Sequence, residues 1–185
     1  WTLPGVMTAG AAQILLKTTG SVAEGAVFAG CGPLLYLVAC QYLDAGARIA
    51  AILDTTPGGA LAAALPLLPR ALRQPGLLWK GASLLARLRR SGVMIHRHVT
   101  TLRFEGEGAV ARVCWTSGGR DHALDCQQAF LHHGVIPNPN MTMAARAAHR
   151  WNAAQAAFVV QHDAHGRTSQ DWLWVAGDGG GIAGA

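Results

Sequence analysis

The chain has 185 residues, 51% of them hydrophobic and 14% charged, with 23 glycines and a net charge of +5. That balance excludes a disordered segment and fits a buried sheet covered by Ala- and Leu-rich helices, in one large domain or two small ones. Four scattered cysteines, Cys31, Cys40, Cys114 and Cys126, form no C-x-x-C and stand at no ligand spacing from a histidine, so buried thiols in a reducing compartment are expected, with no metal site and no thiol relay.

The first predicted element is a short helix over residues 8–18, stopped by Gly20. From Gly25 to Asp54 the pattern predicts a strand over 26–29, a glycine turn, a helix over 33–45 capped by Gly46, and a strand over 48–53 that ends in a carboxylate. A dinucleotide needs that order. Gly30 and Gly32 allow a tight turn and a close approach of backbone to a diphosphate. The helix opening at Pro33 aims free amides and the positive end of its dipole at the phosphates. Asp54 lies 24 positions after Gly30, where an acid at a strand tip accepts hydrogen bonds from an adenosine ribose. A third small residue is expected at position 35, where Leu35 stands, so the helix must sit further from the strand or pack differently. Cys31, inside the turn, is expected to pack rather than react. The uncharged run from Gly25 to Leu43 is long enough to span a bilayer, but two glycines and Pro33 in its middle argue against a spanning helix.

Residues 55–59 predict a turn, and residues 61–90 a helical stretch broken at Pro66, Pro69 and Pro75. Leu77, Leu78, Leu84, Leu85 and Leu88 form a predicted apolar stripe opposite the arginines. Arg70, Arg73, Lys80, Arg87, Arg89, Arg90, Arg97 and Arg103 share a segment without an acid. A solvated face is the default reading, and an acidic partner, a 2′-phosphate or an anionic surface the functional one. No stacking aromatics are interleaved with these charges, which argues against nucleic acid.

After Gly92 the period becomes two. Residues 93–97 predict a parallel strand, and 99–104, 109–115 and 121–126 an antiparallel meander. A buried strand over 129–131 ends at His132, His133 and Gly134. Residues 138–149 predict loop or weak helix, 157–162 a strand, and 172–176 a last strand running into a glycine turn with Asp178 and a helix at Ile182. Such a turn sets one carboxylate and several amides against a polyhydroxylated or phosphorylated ligand. The histidine pairs His96/His98 and His132/His133 fall on strands or loops, without metal-ligand spacing. The chain opens on Trp1 with no basic flank, so no signal peptide is expected.

Three local motifs carry a resemblance: Ala29-Gly30-Cys31-Gly32-Pro33, His133-Gly134-Val135-Ile136-Pro137-Asn138, and Thr168-Ser169 followed by Leu173-Trp174-Val175-Ala176-Gly177-Asp178. In order and spacing they resemble the two-dinucleotide-binding flavoprotein oxidoreductases, the pyridine nucleotide-disulfide oxidoreductase superfamily. The opening Trp1-Thr2-Leu3-Pro4-Gly5-Val6-Met7-Thr8, the G-x-G-P-L-L turn and the G-R-T-S…A-G-D-G ending are most similar to the FAD-containing large subunit of opine oxidases, hydrogen cyanide synthase and amino-acid dehydrogenases; Leu35 is similar to the leucine of that subgroup.

The resemblance implies an α/β fold: a Rossmann-like NAD-type domain over 23–131, with a parallel sheet and an antiparallel meander, flanked by partial pieces of an FAD-binding domain at 1–22 and 132–185. The family's first glycine fingerprint is absent, so an internal fragment is expected, weak in FAD binding and inactive alone. The implied function is passage of electrons from amino-acid or opine oxidation through flavin. The alternatives are an NAD(P)H-dependent flavin reductase and a non-catalytic nucleotide-binding or subunit-docking module. Implied cofactors are FAD, and NAD(P) or another adenine nucleotide. Expected contacts are Gly30, Cys31, Gly32, Pro33, Leu34, Leu35 and Asp54 for the nucleotide, Gly134 where the chain leaves that domain, and Gly177, Asp178 and Ile182 for FAD. No catalytic residue is assigned. The expected partner is a second flavoprotein subunit that oxidises the substrate, in the cytoplasm, with peripheral contact at the inner membrane face permitted but not required.

Overall fold

The computed structural model describes residues 2–153 and 155–182. Trp1, which opens the matched amino-terminal motif, and Ala183, Gly184 and Ala185 of the glycine-rich tail lie outside the described residues. The chain forms two compact units, Trp1–His133 and Gly134–Ala185.

In the first unit, β1 (Val6–Thr8) leads into α1 (Ala9–Thr19), β2 (Ala26–Gly30), α2 (Pro33–Asp44) and β3 (Ile49–Asp54). Helical segments α3 (Ala60–Ala64), α4 (Leu68–Ala71) and α5 (Pro75–Arg90) precede β4 (Ile95–His96), β5 (Val99–Glu105), β6 (Arg112–Ser117), β7 (Arg120–Asp125) and β8 (Ala129–His132). Five strands pair in parallel in the order β1-β8-β2-β3-β4, and β5-β6-β7 form a separate antiparallel meander. This is the expected α/β arrangement with a parallel sheet and an antiparallel meander. Residues 1–22, expected as a flanking piece, contribute β1 and α1 to this unit, a strand and register the apolar pattern had not shown.

Local chemistry sets the element ends. Thr8 caps α1, its hydroxyl accepting from the Ala11 amide at 3.1 Å, and Gly20 ends the helix at φ 68°. Every residue of β2 is buried, because both faces of the strand are covered. Phe28 joins a core with Leu35, Val38, Tyr42 and Phe130 on the helix side, whereas Val27 and Ala29 join Leu53, Val113 and Trp115 on the meander side. Phe28, Tyr42 and Phe130 meet edge to face, with centroids 5.1–5.4 Å apart. Leu35 is therefore a core residue, and its bulk fills the helix-to-sheet layer where a small residue was expected.

The stripe on α5 is used only in part. Leu88 is buried and Leu84 packs on the core, but Leu77 and Leu78 are exposed, as are Leu65, Leu67, Leu72 and Trp79. Arg87 stays exposed on the expected solvated row and pairs with Asp44 through both of its terminal nitrogens. Of the four cysteines, Cys40 and Cys126 are buried, while Cys31 and Cys114 are only half-buried, contrary to expectation.

The second unit holds α6 (Asn140–Ala144) and an antiparallel pair, β9 (His149–Asn152) with β10 (Ala157–Val160). Residues 138–149, expected as loop or weak helix, hold the short α6, and β9, which starts at the last of them, was not expected. His149 closes this segment, one ring nitrogen 2.8 Å from the Thr142 hydroxyl and the other 2.8 Å from the Ala147 carbonyl. The strand expected over 172–176 is not formed: Trp172 and Trp174 are exposed, and a single bridge joins Trp174 to Arg167.

Phe130→Ala should lower stability by about 3–5 kcal/mol because it opens a cavity among three interlocked rings, whereas Leu77→Ala, on an exposed side chain, should change it by no more than about 0.5 kcal/mol. Urea unfolding of both variants followed by circular dichroism checks the contrast.

Candidate nucleotide and flavin sites

At the carboxyl edge of the first unit's sheet, Gly30 sits between two strands, in register with Asp54 on β3 and His132 on β8. The Cys31 amide donates to the His132 carbonyl at 2.7 Å, and the Thr55 amide to the Gly30 carbonyl at 2.8 Å. A Cβ on Gly30 would stand 1.8 Å from the His132 carbonyl oxygen, and its φ of 132° disfavours any side chain. Gly32, at φ 89°, precedes Pro33 at the first position of α2, and no side chain caps this helix. The amides of Leu34 and Leu35 in that first turn therefore lack an intrahelical partner, while Pro33 has no donor to lose.

The expected nucleotide residues thus differ in what they offer. Gly30, Gly32 and Asp54 converge at the edge. Cys31 has its amide turned inward to β8, Pro33 is exposed, Leu34 is half-buried, and the Leu35 side chain is in the core. Asp54 is only 6% exposed, and both carboxylate oxygens already accept a bond: Oδ2 from the Tyr36 hydroxyl at 2.5 Å and Oδ1 from the Thr56 amide at 2.9 Å. Burial, the bond to Asp54 and its charge push the Tyr36 phenol well above its ordinary range, with Arg97 acting the other way. His98 adds a 3.0 Å contact to the Thr56 carbonyl from the loop after β4.

Tyr36 and His132 are the residues that sequence reasoning missed here. Tyr36 sits one helical turn after Gly32, a spacing that puts it over the turn, but nothing in the sequence ties it to Asp54. His132 comes from a strand about 100 residues later in the chain, so only the strand register shows it.

In the second unit a cleft of about 820 Å³ gathers Gly177, Asp178 and Ile182, three residues expected to meet FAD, with Arg150, Asn152 and His162. Gly134, at φ 118°, is exposed and opens this unit. Gly177–Gly179 form one 3-10 turn, and residues 180–182 are not helical, so the helix expected at Ile182 is absent from the described residues. The matched Thr168 and Ser169 have structural work: Thr168 donates to the Leu173 carbonyl at 2.9 Å, and Ser169 accepts from the Ala148 amide at 2.7 Å. His162 bonds the Gly180 carbonyl at 3.1 Å, fixing the glycine-rich tail beside β10. Asp178 is exposed, and a Cβ on Gly177 would meet nothing within 4 Å, so this turn leaves room for a ligand chain. Among the described residues no three His, Cys, Asp or Glu gather to hold a metal, and no helix is long and apolar enough to cross a membrane.

The fold is the Rossmann-like α/β fold found in solved flavoprotein disulfide reductases. Bacillithiol disulfide reductase of Staphylococcus aureus superposes with a TM-score of 0.63 at 12% identity, over 97% of this chain and 48% of that one. Thioredoxin reductase of T. acidophilum gives 0.57 at 14% identity, over 94% and 49%. The chain is a homologue of one of the opine oxidase subunits, 43% identical to that of Rhizobium meliloti and 42% to that of Agrobacterium tumefaciens over its whole length. It is also 28% identical to hydrogen cyanide synthase subunit HcnB of Pseudomonas aeruginosa. The chain spans only 35–41% of the length of these relatives. No protein-family model matches it.

Gly30→Ala should cost about 3 kcal/mol or more, since it adds a backbone clash to a disfavoured φ, whereas Gly177→Ala should fold with a far smaller loss; thermal unfolding of the pair checks this. Burial first, then His133, holds His132 below its ordinary value of 6.5, and burial first, then His122, does the same for His96. Both take up a proton more readily when unfolded, so their stability contribution is complete above about pH 6.5 and falls as pH drops toward the folded pKa values. The melting temperature should decline from about pH 7.5 to 5.5, and less steeply in a His96→Gln/His132→Gln variant.

Proposed function

We propose that this chain is part of an FAD-dependent oxidoreductase subunit that passes electrons from oxidation of an amino-acid or opine substrate, through flavin, to a further acceptor. The 43% identity to the opine oxidase subunit of Rhizobium meliloti, along the entire chain, carries this reading. Bound FAD would supply the redox chemistry, and the protein its position and surroundings. Gly177, Asp178 and Ile182 would hold the flavin nucleotide in the second unit. Gly30, Gly32 and the first-turn amides of Leu34 and Leu35 would hold the diphosphate of an adenine nucleotide in the first. Substrate oxidation is assigned to a second flavoprotein subunit, in keeping with the subunit names of the relatives. No residue of this chain is given a catalytic role.

The exposed apolar side chains of Leu65, Leu67, Leu72, Leu77 and Trp79, in a segment that also carries Arg70, Arg73 and Lys80, favour a second reading, in which the first unit also docks another subunit. Both readings suit a cytoplasmic location. The rival NAD(P)H-dependent flavin reductase differs in its electron donor. Anaerobic titration of the complete flavoprotein, together with its second subunit, separates them: the opine or amino acid should bleach the flavin and NADH should not. Rapid bleaching by NADH with none by opines or amino acids overturns the proposal.

A further inference from the structure

We propose that Tyr36 sets the ligand preference of the first unit's sheet edge by occupying Asp54, so that the edge takes an adenine nucleotide through its diphosphate and gains nothing from the ribose hydroxyls. The inference rests on the reading of that edge as a nucleotide site.

An acid at the tip of the second strand recognises a ribose by accepting from its hydroxyls. That requires carboxylate oxygens that are both available and reachable. Asp54 offers neither. The Tyr36 hydroxyl holds Oδ2 at 2.5 Å, the Thr56 amide holds Oδ1 at 2.9 Å, and 6% exposure closes off the remaining lone-pair directions. A sugar hydroxyl that reached Oδ2 would have to displace the phenol, exchanging one hydrogen bond to a charged acceptor for another and leaving a half-buried donor without its partner. Tyr36 stands where a sugar hydroxyl would donate, and it is carried by the helix whose first turn faces the phosphates. The diphosphate end keeps its determinants, because a Cβ on Gly32 would meet only the edge of the His132 imidazole, at 3.8 Å, and the helix start is uncapped. Recognition of the sugar and of the phosphates is thereby uncoupled, and the sugar half is satisfied from within the protein.

Titration calorimetry of the full chain with ADP and with a control nucleotide lacking both ribose hydroxyls, 2′,3′-dideoxyADP, tests this, on the wild type and on Tyr36→Phe. The wild type should bind the two within about twofold of each other. Y36F should bind ADP about tenfold more tightly and 2′,3′-dideoxyADP unchanged, because the freed carboxylate gains one charge-assisted hydrogen bond. A wild type that prefers ADP by tenfold or more overturns the inference and leaves the nucleotide site standing, as does an unchanged ratio or weakened ADP binding in Y36F. If Y36F does not fold, the wild-type ratio alone decides. Silence from both nucleotides on both proteins overturns the nucleotide site itself and the inference with it.

Discussion

The parallel pairing of β8 against β2 is the constraint on which the first unit depends. It places the His132 carbonyl where only a glycine fits at position 30, and it draws the Cys31 amide inward at 2.7 Å. Gly30 is held on its other side by the Thr55 amide on its carbonyl. The turn is thus fixed from two strands before any ligand is considered. Its direction sends α2 back across the sheet from an uncapped start at the carboxyl edge, the location at which open α/β sheets bind their ligands. Fold and candidate site share one set of backbone contacts.

The same pairing explains why β2 carries no polar residue. With α1, α2 and α5 on one face and the meander on the other, alternate residues of β2 feed two separate cores. Leu35 follows from this arrangement. Between helix and sheet, a larger side chain contributes buried apolar area in place of closer backbone approach, and the rings of Phe28, Tyr42 and Phe130 pack in the same layer. The space is filled from the helix side, so the leucine does not block the edge where phosphates would lie.

The strand-turn-helix-strand order from Gly25 to Asp54 could be read directly, because hydrophobic runs, two glycines and a terminal acid are local signals. The meander could be read from its period of two and its glycine turns. β1 and β9 could not. β1 is three residues long and is defined by pairing with β8, and β9 carries exposed Arg150 and Trp151 in place of a clean alternation. The strand expected at 172–176 failed for the converse reason: its apolar residues supply the pattern, but no neighbouring strand supplies a ladder. At the candidate sites, glycines and acids announced themselves, whereas Tyr36 and His132 act through contacts between segments that the sequence holds apart or leaves unmarked.

Asp54 and Asp178 show how far such a motif carries meaning. Both are acids beside a glycine turn, and in sequence both suggest a carboxylate offered to a sugar or polyol. Asp54 closes a buried strand, where an ionised group is stable only when it is hydrogen-bonded, and the protein provides those bonds through Tyr36 and Thr56. Asp178 lies on an exposed 3-10 turn at a cleft, where its carboxylate is open to solvent. The bonds from Tyr36 and Thr56 that satisfy the first acid are what remove it from use, and the absence of regular structure around the second is what leaves it available. Of the two carboxylates, the one on the irregular segment therefore presents the better point of attachment for a polyhydroxylated chain, although the buried strand carries the stronger sequence signature.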